Sequence, residues 1–292
     1  MPVEKKSPCK VNLLLNILGK RADGFHELET LLLPVPVWDE LTFDRCPNGI
    51  QFSCSDPNLP GDSRNLVVRA AEKFLAVAGV SEGAKIHLEK KIPLAAGLGG
   101  GSSNAATTLR ALNELFGHPL PFEKLRELAA ALGSDVPFFL QNQPALATGR
   151  GEQIQPLDPF PALRGRAMLL VHPGFGISTP WAYRNLARFP AALNGRKSRA
   201  QKLIMRLRAG DLPAAAAEFY NALEAPAFEK FPILKLYQEF FLSHGALAAL
   251  MSGSGSTTFA ICQNAPAAET LLEAFRGQFG RNGWATVVEI FC

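Results

Sequence analysis

The chain of 292 residues lacks any apolar run of the roughly 18 or more residues that a bilayer-crossing helix needs, so no membrane role is expected. Its opening stretch, Met1–Lys6, is short, charged and polar, without the apolar centre of a secretory leader. Cysteine is scarce. There are five, Cys9, Cys46, Cys54, Cys262 and Cys292, an odd number with no pair at C-x-x-C spacing. That argues against a disulfide framework and a structural zinc site, and for free thiols in a reducing cytoplasm. Charge of one sign is lacking too. The net charge of +4 is mild and dispersed, too little for a nucleic-acid face, though it suits an anionic small-molecule substrate. Internal repeats and low-complexity segments are absent.

What is present is ample core material: 47% hydrophobic and 19% charged residues. The length fits two domains. Alternation over Cys9–Leu18, Glu27–Val37, Glu40–Asp44 and Ile50–Cys54 predicts strands, with a turn at Gly19–Gly24 where Asp23-Gly24 supplies a positive φ. Apolar residues at helical spacing predict helices over Asn65–Val77, Asn104–Phe116 and Phe122–Leu132, the last ending at Gly133 as a cap. Lys85–Lys91 alternates like a strand, and Val136–Leu140 is apolar and buried. The prolines at 156, 159 and 161 mark the best domain boundary, giving residues 1–157 and 158–292. Beyond it, strands are expected at Ala167–His172, Ala248–Ser252, Thr257–Cys262 and Ala285–Ile290. Helices are expected at Trp181–Arg188, Arg199–Arg208, Leu212–Tyr220, Ile233–His244 and Glu269–Phe279. The class is α+β.

The chemical signal is the run Pro93, Leu94, Ala95, Ala96, Gly97, Leu98, Gly99, Gly100, Gly101, Ser102, Ser103, Asn104. Its glycines let backbone N–H groups approach a ligand closely. The serines add hydroxyl donors, and the following helix points its positive dipole end at the same place. A strand, this loop and a helix make an anion cradle, with ATP phosphates the obvious occupant. No lysine follows the glycines, so it is not a Walker A loop. Ser102 stands where a dinucleotide fingerprint needs a last glycine or alanine.

The run resembles the phosphate loop of the GHMP kinases, the superfamily of galactokinase, homoserine kinase and mevalonate kinase. Further blocks resemble one branch of it. They are Ser7-Pro8-Cys9-Lys10-Val11-Asn12-Leu13, Gly19-Lys20-Arg21-Ala22-Asp23-Gly24-Phe25-His26-Glu27-Leu28, Leu132-Gly133-Ser134-Asp135-Val136-Pro137-Phe138-Phe139 and Met251-Ser252-Gly253-Ser254-Gly255-Ser256. That branch phosphorylates the 2-hydroxyl of a cytidine-diphosphate-linked methylerythritol in the non-mevalonate route to isoprenoid precursors. The resemblance implies a two-domain GHMP-kinase fold with the active site in the cleft between domains, and ATP and Mg2+ as cofactors. It implies Lys10 and Asp135 as the catalytic pair and Pro93–Ser103 with Asn65 on the nucleotide. It also implies Asn12, Phe25, His26 and Thr179 on the substrate. The magnesium ligands are not identified by the pattern; Ser103 is placed as one by position alone. The branch often has tyrosine at position 25, so phenylalanine here keeps the stacking face and loses a hydroxyl.

The pair is chemically sensible: a carboxylate can orient and deprotonate an alcohol, and a nearby ammonium offsets developing negative charge. On their residues alone, Asp135 also reads as a helix cap, Lys10 as a snorkelling strand residue and His26 as a structural histidine. Asn65 also reads as a helix start, and Ser252–Ser256 as a strand-connecting turn. The basic stretch from Arg196 to Arg208 reads as the solvated face of a helix, because Leu203, Ile204 and Leu207 give it a buried side. Two rival functions are another GHMP small-molecule kinase and a GHMP-like protein that binds without turnover. The Phe25-His26 pair weighs against the first, and the presence of both Lys10 and Asp135 against the second.

Overall fold

The structure is a computed structural model and describes residues 2–290; Met1, Phe291 and Cys292 lie outside them. In chain order the elements begin with β1 (Val3–Lys20), β2 (His26–Cys46), β3 (Ile50–Cys54), α1 (Leu66–Ala78) and β4 (Gly83–Glu89). There follow α2 (Gly100–Leu115), α3 (Phe122–Leu132), a 3₁₀ turn (Pro137–Leu140), β5 (Ala145–Gly149), β6 (Gln153–Pro156), a second 3₁₀ turn (Pro161–Leu163) and β7 (Ala167–His172). The rest are α4 (Thr179–Leu186), α5 (Pro190–Leu193), α6 (Arg199–Arg208), α7 (Leu212–Ala216), β8 (Tyr220–Asn221), α8 (Glu224–Lys230), α9 (Ile233–Ser243), β9 (Ala248–Met251), β10 (Thr258–Cys262), α10 (Ala265–Phe279) and β11 (Trp284–Glu289). Helices and mostly antiparallel sheets make the α+β class expected. Among the described residues no helix is long and apolar enough to cross a membrane.

Contacts divide the chain into two compact units, each built from non-contiguous stretches. The first takes in residues up to Cys9, Val37–Ile92 and Gly99–Asn142; the second takes Lys10–Pro36, Pro93–Leu98 and everything from Gln143. The proline cluster at 156–161 lies inside the second unit.

In the first unit, Glu40–Cys46 of β2 pairs antiparallel with β4, which pairs parallel with β3. Helices α1, α2 and α3 pack on one another beside this sheet. Helix α1 forms because Asn65 caps it, its side chain accepting from Val67 N–H, while Val67, Val68, Ala70, Ala71 and Phe74 face inward. Gly79 at φ 64° ends it in the left-handed region, where glycine has no Cβ penalty. Burying a ring such as that of Phe74, fully enclosed here, is worth about 2–3 kcal/mol. Gly133 is the C-cap of α3, as expected, in an extended conformation with φ 172° and its N–H donating to Ala129 O at 3.3 Å.

In the second unit, Leu28–Leu32 of β2 pairs with β5, and β5 with β6. The short β8 lies parallel to β1 at Leu14 and Leu15. A separate antiparallel sheet runs β11-β7-β10-β9. Its inner strands, β7 and β10, are buried at every residue, as strands covered on both sides are. Helices α9 and α10 pack on this sheet through Tyr237, Phe241, Leu271, Leu272 and Phe275.

Three local expectations are corrected. Glu27–Val37 and Glu40–Asp44 form one unbroken strand, β2, because Asp39 between them is a fully buried acceptor rather than a turn residue. Helix α2 starts at Gly100, inside the glycine run, because Gly99 adopts a left-handed conformation and becomes its N-cap. The helix expected over Leu212–Tyr220 stops at Ala216, and Tyr220–Asn221 is drawn off to pair with β1. The hairpin of β5 and β6 and helix α8 had no signal strong enough to single them out.

Candidate active site

The glycine run is shaped by what surrounds each residue. Ala95, Gly97 and Gly99 all have positive φ, at 51°, 78° and 70°. A Cβ on Gly97 would lie 2.1 Å from Ser252 O, a distance no real contact allows. A Cβ on Gly100 would stand 3.2 Å from both Lys90 Nζ and Ile92 Cγ2. Pro93 and Leu94 lead into the loop, Ala96 and Leu98 are buried, and their carbonyls are tied down. Thr257 N–H donates to Ala96 O at 3.1 Å, and Lys10 N–H to Leu98 O at 3.0 Å.

At the start of α2 the first N–H groups have no intrahelical partner; Ser103 N–H, bonded to Gly99 O at 2.9 Å, is the first that does. Neither a capping side chain nor an acidic residue occupies this helix start. These exposed donors, the dipole end and the absence of negative charge suit an anion such as a phosphate.

In the first unit a buried polar chain backs the helix start. Ser7 Oγ donates to Ser103 Oγ at 2.7 Å, and Asn104 Nδ2 donates to Ser7 Oγ and to Asp39 Oδ2, both at 3.0 Å. Lys90 Nζ reaches Asp39 Oδ2 at 2.6 Å, and the N–H groups of Lys91 and Ile92 donate to Asp39 Oδ1. Asp39 and Lys90 carried no motif and were not singled out from the sequence. Ser103, placed for magnesium by position, is fully buried in this network. Among the described residues there is no cluster of three or more His, Cys, Asp or Glu side chains that could hold a metal ion by themselves.

Asn65 is the N-cap of α1: its Oδ1 accepts from Val67 N–H at 2.9 Å and its Nδ2 donates to Pro60 O at 3.0 Å. The helix-start reading of Asn65 is thus realised in full. Asp135, also in the first unit, sits half-buried in the turn after α3. The residue at the N-cap position of the following 3₁₀ turn is Val136.

The second unit gathers Lys10, Asn12, the first half of the glycine loop and the Ser252–Ser256 turn. Lys10 is only 3% exposed, yet its Nζ donates to Gly97 O at 2.8 Å and Asn12 Oδ1 at 2.7 Å. Being two apart on β1, Lys10 and Asn12 share a face of the strand. Asn12 Nδ2 in turn donates to Thr30 Oγ1 at 2.8 Å, which fixes the amide with its oxygen toward the lysine. Ser252 Oγ also donates to Gly97 O, at 3.0 Å. This is a buried ammonium held by a carbonyl and an amide oxygen, not a snorkelling side chain.

The same unit carries an aromatic group. Phe25 is 52% exposed, at the end of a turn closed by Arg21 N–H to Phe25 O at 2.8 Å. The Arg150 guanidinium stands 4.7 Å from its ring centroid, a cation–π distance. His26 lies 5.1 Å from the ring of Tyr183, tilted by 34°. Burial, and then the charge of Lys20, hold the His26 imidazole below its ordinary value, so it is neutral at pH 7. A neutral imidazole offers one donor and one acceptor. Thr179 Oγ1 and Ser254 Oγ are 2.8 Å apart, which joins the expected substrate contact to the Ser252–Ser256 turn. Tyr183 and Arg150 were not found from the sequence, since only folding brings them to Phe25 and His26.

Comparison with known proteins follows this geometry. The GHMP kinases N-terminal domain family matches residues 65–143, and the GHMP kinases C-terminal family matches residues 196–281. A 4-diphosphocytidyl-2-C-methyl-D-erythritol kinase of Pelotomaculum thermopropionicum is 41% identical over 277 residues, covering 94% of each chain. One of Syntrophus aciditrophicus is 42% identical over 269 residues, covering 91% of this chain and 93% of its own. A crystal structure of a 4-(cytidine 5'-diphospho)-2C-methyl-D-erythritol kinase aligns with a TM-score of 0.79 at 36% identity, over 98% of both chains. A homoserine kinase from Cytophaga hutchinsonii shares the fold alone, with a TM-score of 0.74 at 21% identity over 98% of this chain and 93% of its own.

Proposed function

The chain belongs to the GHMP kinases and, among them, to the family of 4-diphosphocytidyl-2-C-methyl-D-erythritol kinases; from that premise we propose how its own residues phosphorylate the 2-hydroxyl of the methylerythritol moiety. ATP supplies the transferred phosphoryl group. The glycine loop and the start of α2 hold its phosphates by backbone N–H groups. Magnesium bound with the nucleotide would supply positive charge against its phosphates; among the described residues no cluster of three or more His, Cys, Asp or Glu side chains would hold it by itself.

Asp135 orients the 2-hydroxyl and takes its proton as the oxygen–phosphorus bond forms and the bond to the departing diphosphate breaks. Lys10, fixed by Gly97 O and Asn12 Oδ1, places its positive charge against the negative charge that spreads over the transferring group. Phosphoryl transfer passes through a loose transition state, so positioning of this kind supplies most of the acceleration. The single observation that carries the reading is the buried Lys10 ammonium locked on the carbonyl of the phosphate loop.

The base end of the substrate falls to the aromatic group. Phe25 offers an exposed stacking face, Tyr183 a second ring, and neutral His26 a hydrogen bond to a base edge. Thr179 and Asn12 supply further polar contacts. Homoserine or mevalonate has no base to stack, so an exposed ring at position 25 favours the cytidine-bearing substrate over the other GHMP alcohols. We place the reaction in the cytoplasm, where its free thiols, Cys9 and Cys262 buried among them, stay reduced.

A substrate panel tests this. With magnesium and ATP, the cytidine-diphosphate-linked methylerythritol is expected to turn over, and homoserine and mevalonate are not. Turnover confined to one of the latter two would refute the assignment.

A further inference from the structure

The segment Asn221–Glu224 has no part in the mechanism above, yet it grips the Ser252–Ser256 turn. β8 pairs with β1 at Leu14 and Leu15, and Ala222 N–H donates to Leu15 O at 2.9 Å, so the segment is anchored on the strand that carries Lys10 and Asn12. Both donor contacts of one side-chain amide then go to the turn: Asn221 Nδ2 donates to Met251 O at 2.8 Å and to Gly253 O at 2.7 Å. Its Oδ1 accepts from Leu223 N–H at 2.9 Å, and the residue is 1% exposed. A flipped amide would set its oxygen against two carbonyls, so the orientation is fixed. Glu224 completes the grip from the other side of Met251, accepting its N–H at 2.8 Å.

What the grip positions is Gly253. Its φ is +55°, and a Cβ there would lie 3.0 Å from Gly97 O, 3.1 Å from Lys10 Nζ and 3.3 Å from Asn12 Oδ1. The backbone at 253 is therefore one wall of the space that holds the Lys10 ammonium. The neighbouring Ser252 Oγ shares the Gly97 carbonyl with Lys10.

We propose that Asn221 is a positioning residue for phosphoryl transfer, its amide locking the Met251–Gly253 backbone to β1 so that Lys10 Nζ keeps one place on the Gly97 carbonyl. The inference rests on the reading of Lys10 as catalytic. Replacing the amide by an apolar group of similar size removes both donors and lets the turn shift. A displacement near 1 Å in such a site costs on the order of 100-fold in rate.

The test is a double-mutant cycle of wild type, Asn221→Leu, Lys10→Ala and the double variant, each read for kcat, KM and melting temperature. Asn221→Leu is expected to lower kcat about 10- to 100-fold, with KM for both substrates within about threefold of wild type. In the Lys10→Ala background the same change is expected to cost no more than about threefold, because no ammonium is left to position. Asn221→Ser keeps one donor and is expected to give an intermediate loss with the same non-additivity. It stands in for Asn221→Leu if that variant is unfolded at the assay temperature. Equal losses in both backgrounds, or unchanged kcat in a folded Asn221→Leu, would overturn the inference alone. Full activity in Lys10→Ala would overturn the reading of Lys10 and the inference with it.

Discussion

Gly97→Ala is the sharpest steric probe of the phosphate loop. At φ 78° an alanine enters the left-handed region, at a cost of about 1–2 kcal/mol. Its Cβ would also stand 2.1 Å from Ser252 O, whereas ordinary contact begins at 3.4 Å, so something must move by 1.3 Å. The obstacle is backbone, held by Ser252 N–H to Thr257 O at 2.9 Å and Gly255 N–H to Ser252 O at 2.9 Å, and it cannot swing away as a side chain would. The shift falls on the carbonyl that receives Lys10 Nζ. An error of this size predicts a fall in kcat of about 100-fold, equivalent to about 2.7 kcal/mol in the barrier. Gly101→Ala is the control for the helix start. Its Cβ would meet only Leu66 Cδ1, at 3.8 Å, and alanine favours a helix over glycine by up to about 1 kcal/mol. Thermal melts should show Gly101→Ala at least as stable as wild type. A coupled assay for ADP release gives kcat, and a Gly97→Ala enzyme within about threefold of wild type would refute the steric argument.

Three further outcomes are expected. Burial pushes the Glu224 carboxyl up to about 7 from 4.5, so between those values the folded chain holds a proton that the unfolded chain has released. Its contribution, of about 3 kcal/mol, is whole below pH 4.5 and lost as pH rises through 7. Urea unfolding of Glu224→Gln should lack this decline, and an identical pH profile in both proteins would contradict the assignment. Because burial, and then the charge of Lys20, lower the His26 imidazole from its ordinary value, KM for the cytidine substrate should be flat above neutral pH and rise only on acidification; in His26→Gln that acid rise should vanish. Asn65→Ala removes the cap of α1 and should cost about 1 kcal/mol in denaturant unfolding, while Asn65→Asp, which keeps the acceptor, should cost less.

Much of the fold was legible where periodicity and local chemistry agree. Helix α3 and helix α6 fall at the expected residues because each has an unbroken apolar stripe. The loop at 93–103 stood out because clustered glycines are costly without a use, whereas Lys10 and Asn12 were singled out by the resemblance, Lys10 on its own reading as a snorkelling strand residue. What was hidden depends on distant partners. Nothing near Tyr220 announces a strand, since the strand it pairs with, β1, lies some two hundred residues earlier. Asp39 carries no local signal, and its place becomes plain only when Lys90, Asn104 and the N–H groups of Lys91 and Ile92 surround it. Arg150 and Tyr183 lie far from Phe25 and His26 along the chain. The units are each assembled from several stretches, a composition that local punctuation such as a proline cluster does not announce.

The account's central claim is that Lys10 and Asp135 of this chain drive phosphoryl transfer to the methylerythritol 2-hydroxyl. Single-turnover reactions of wild type, Lys10→Ala and Asp135→Asn, with magnesium, ATP and the cytidine-diphosphate-linked substrate, test it directly when the product is read by phosphorus NMR. Wild type should yield a new phosphomonoester on the 2-hydroxyl beside an intact diphosphate, and each variant should slow its appearance by about 100- to 10,000-fold. Undiminished product formation in Asp135→Asn or Lys10→Ala, or a phosphoryl group on any other oxygen, would contradict it.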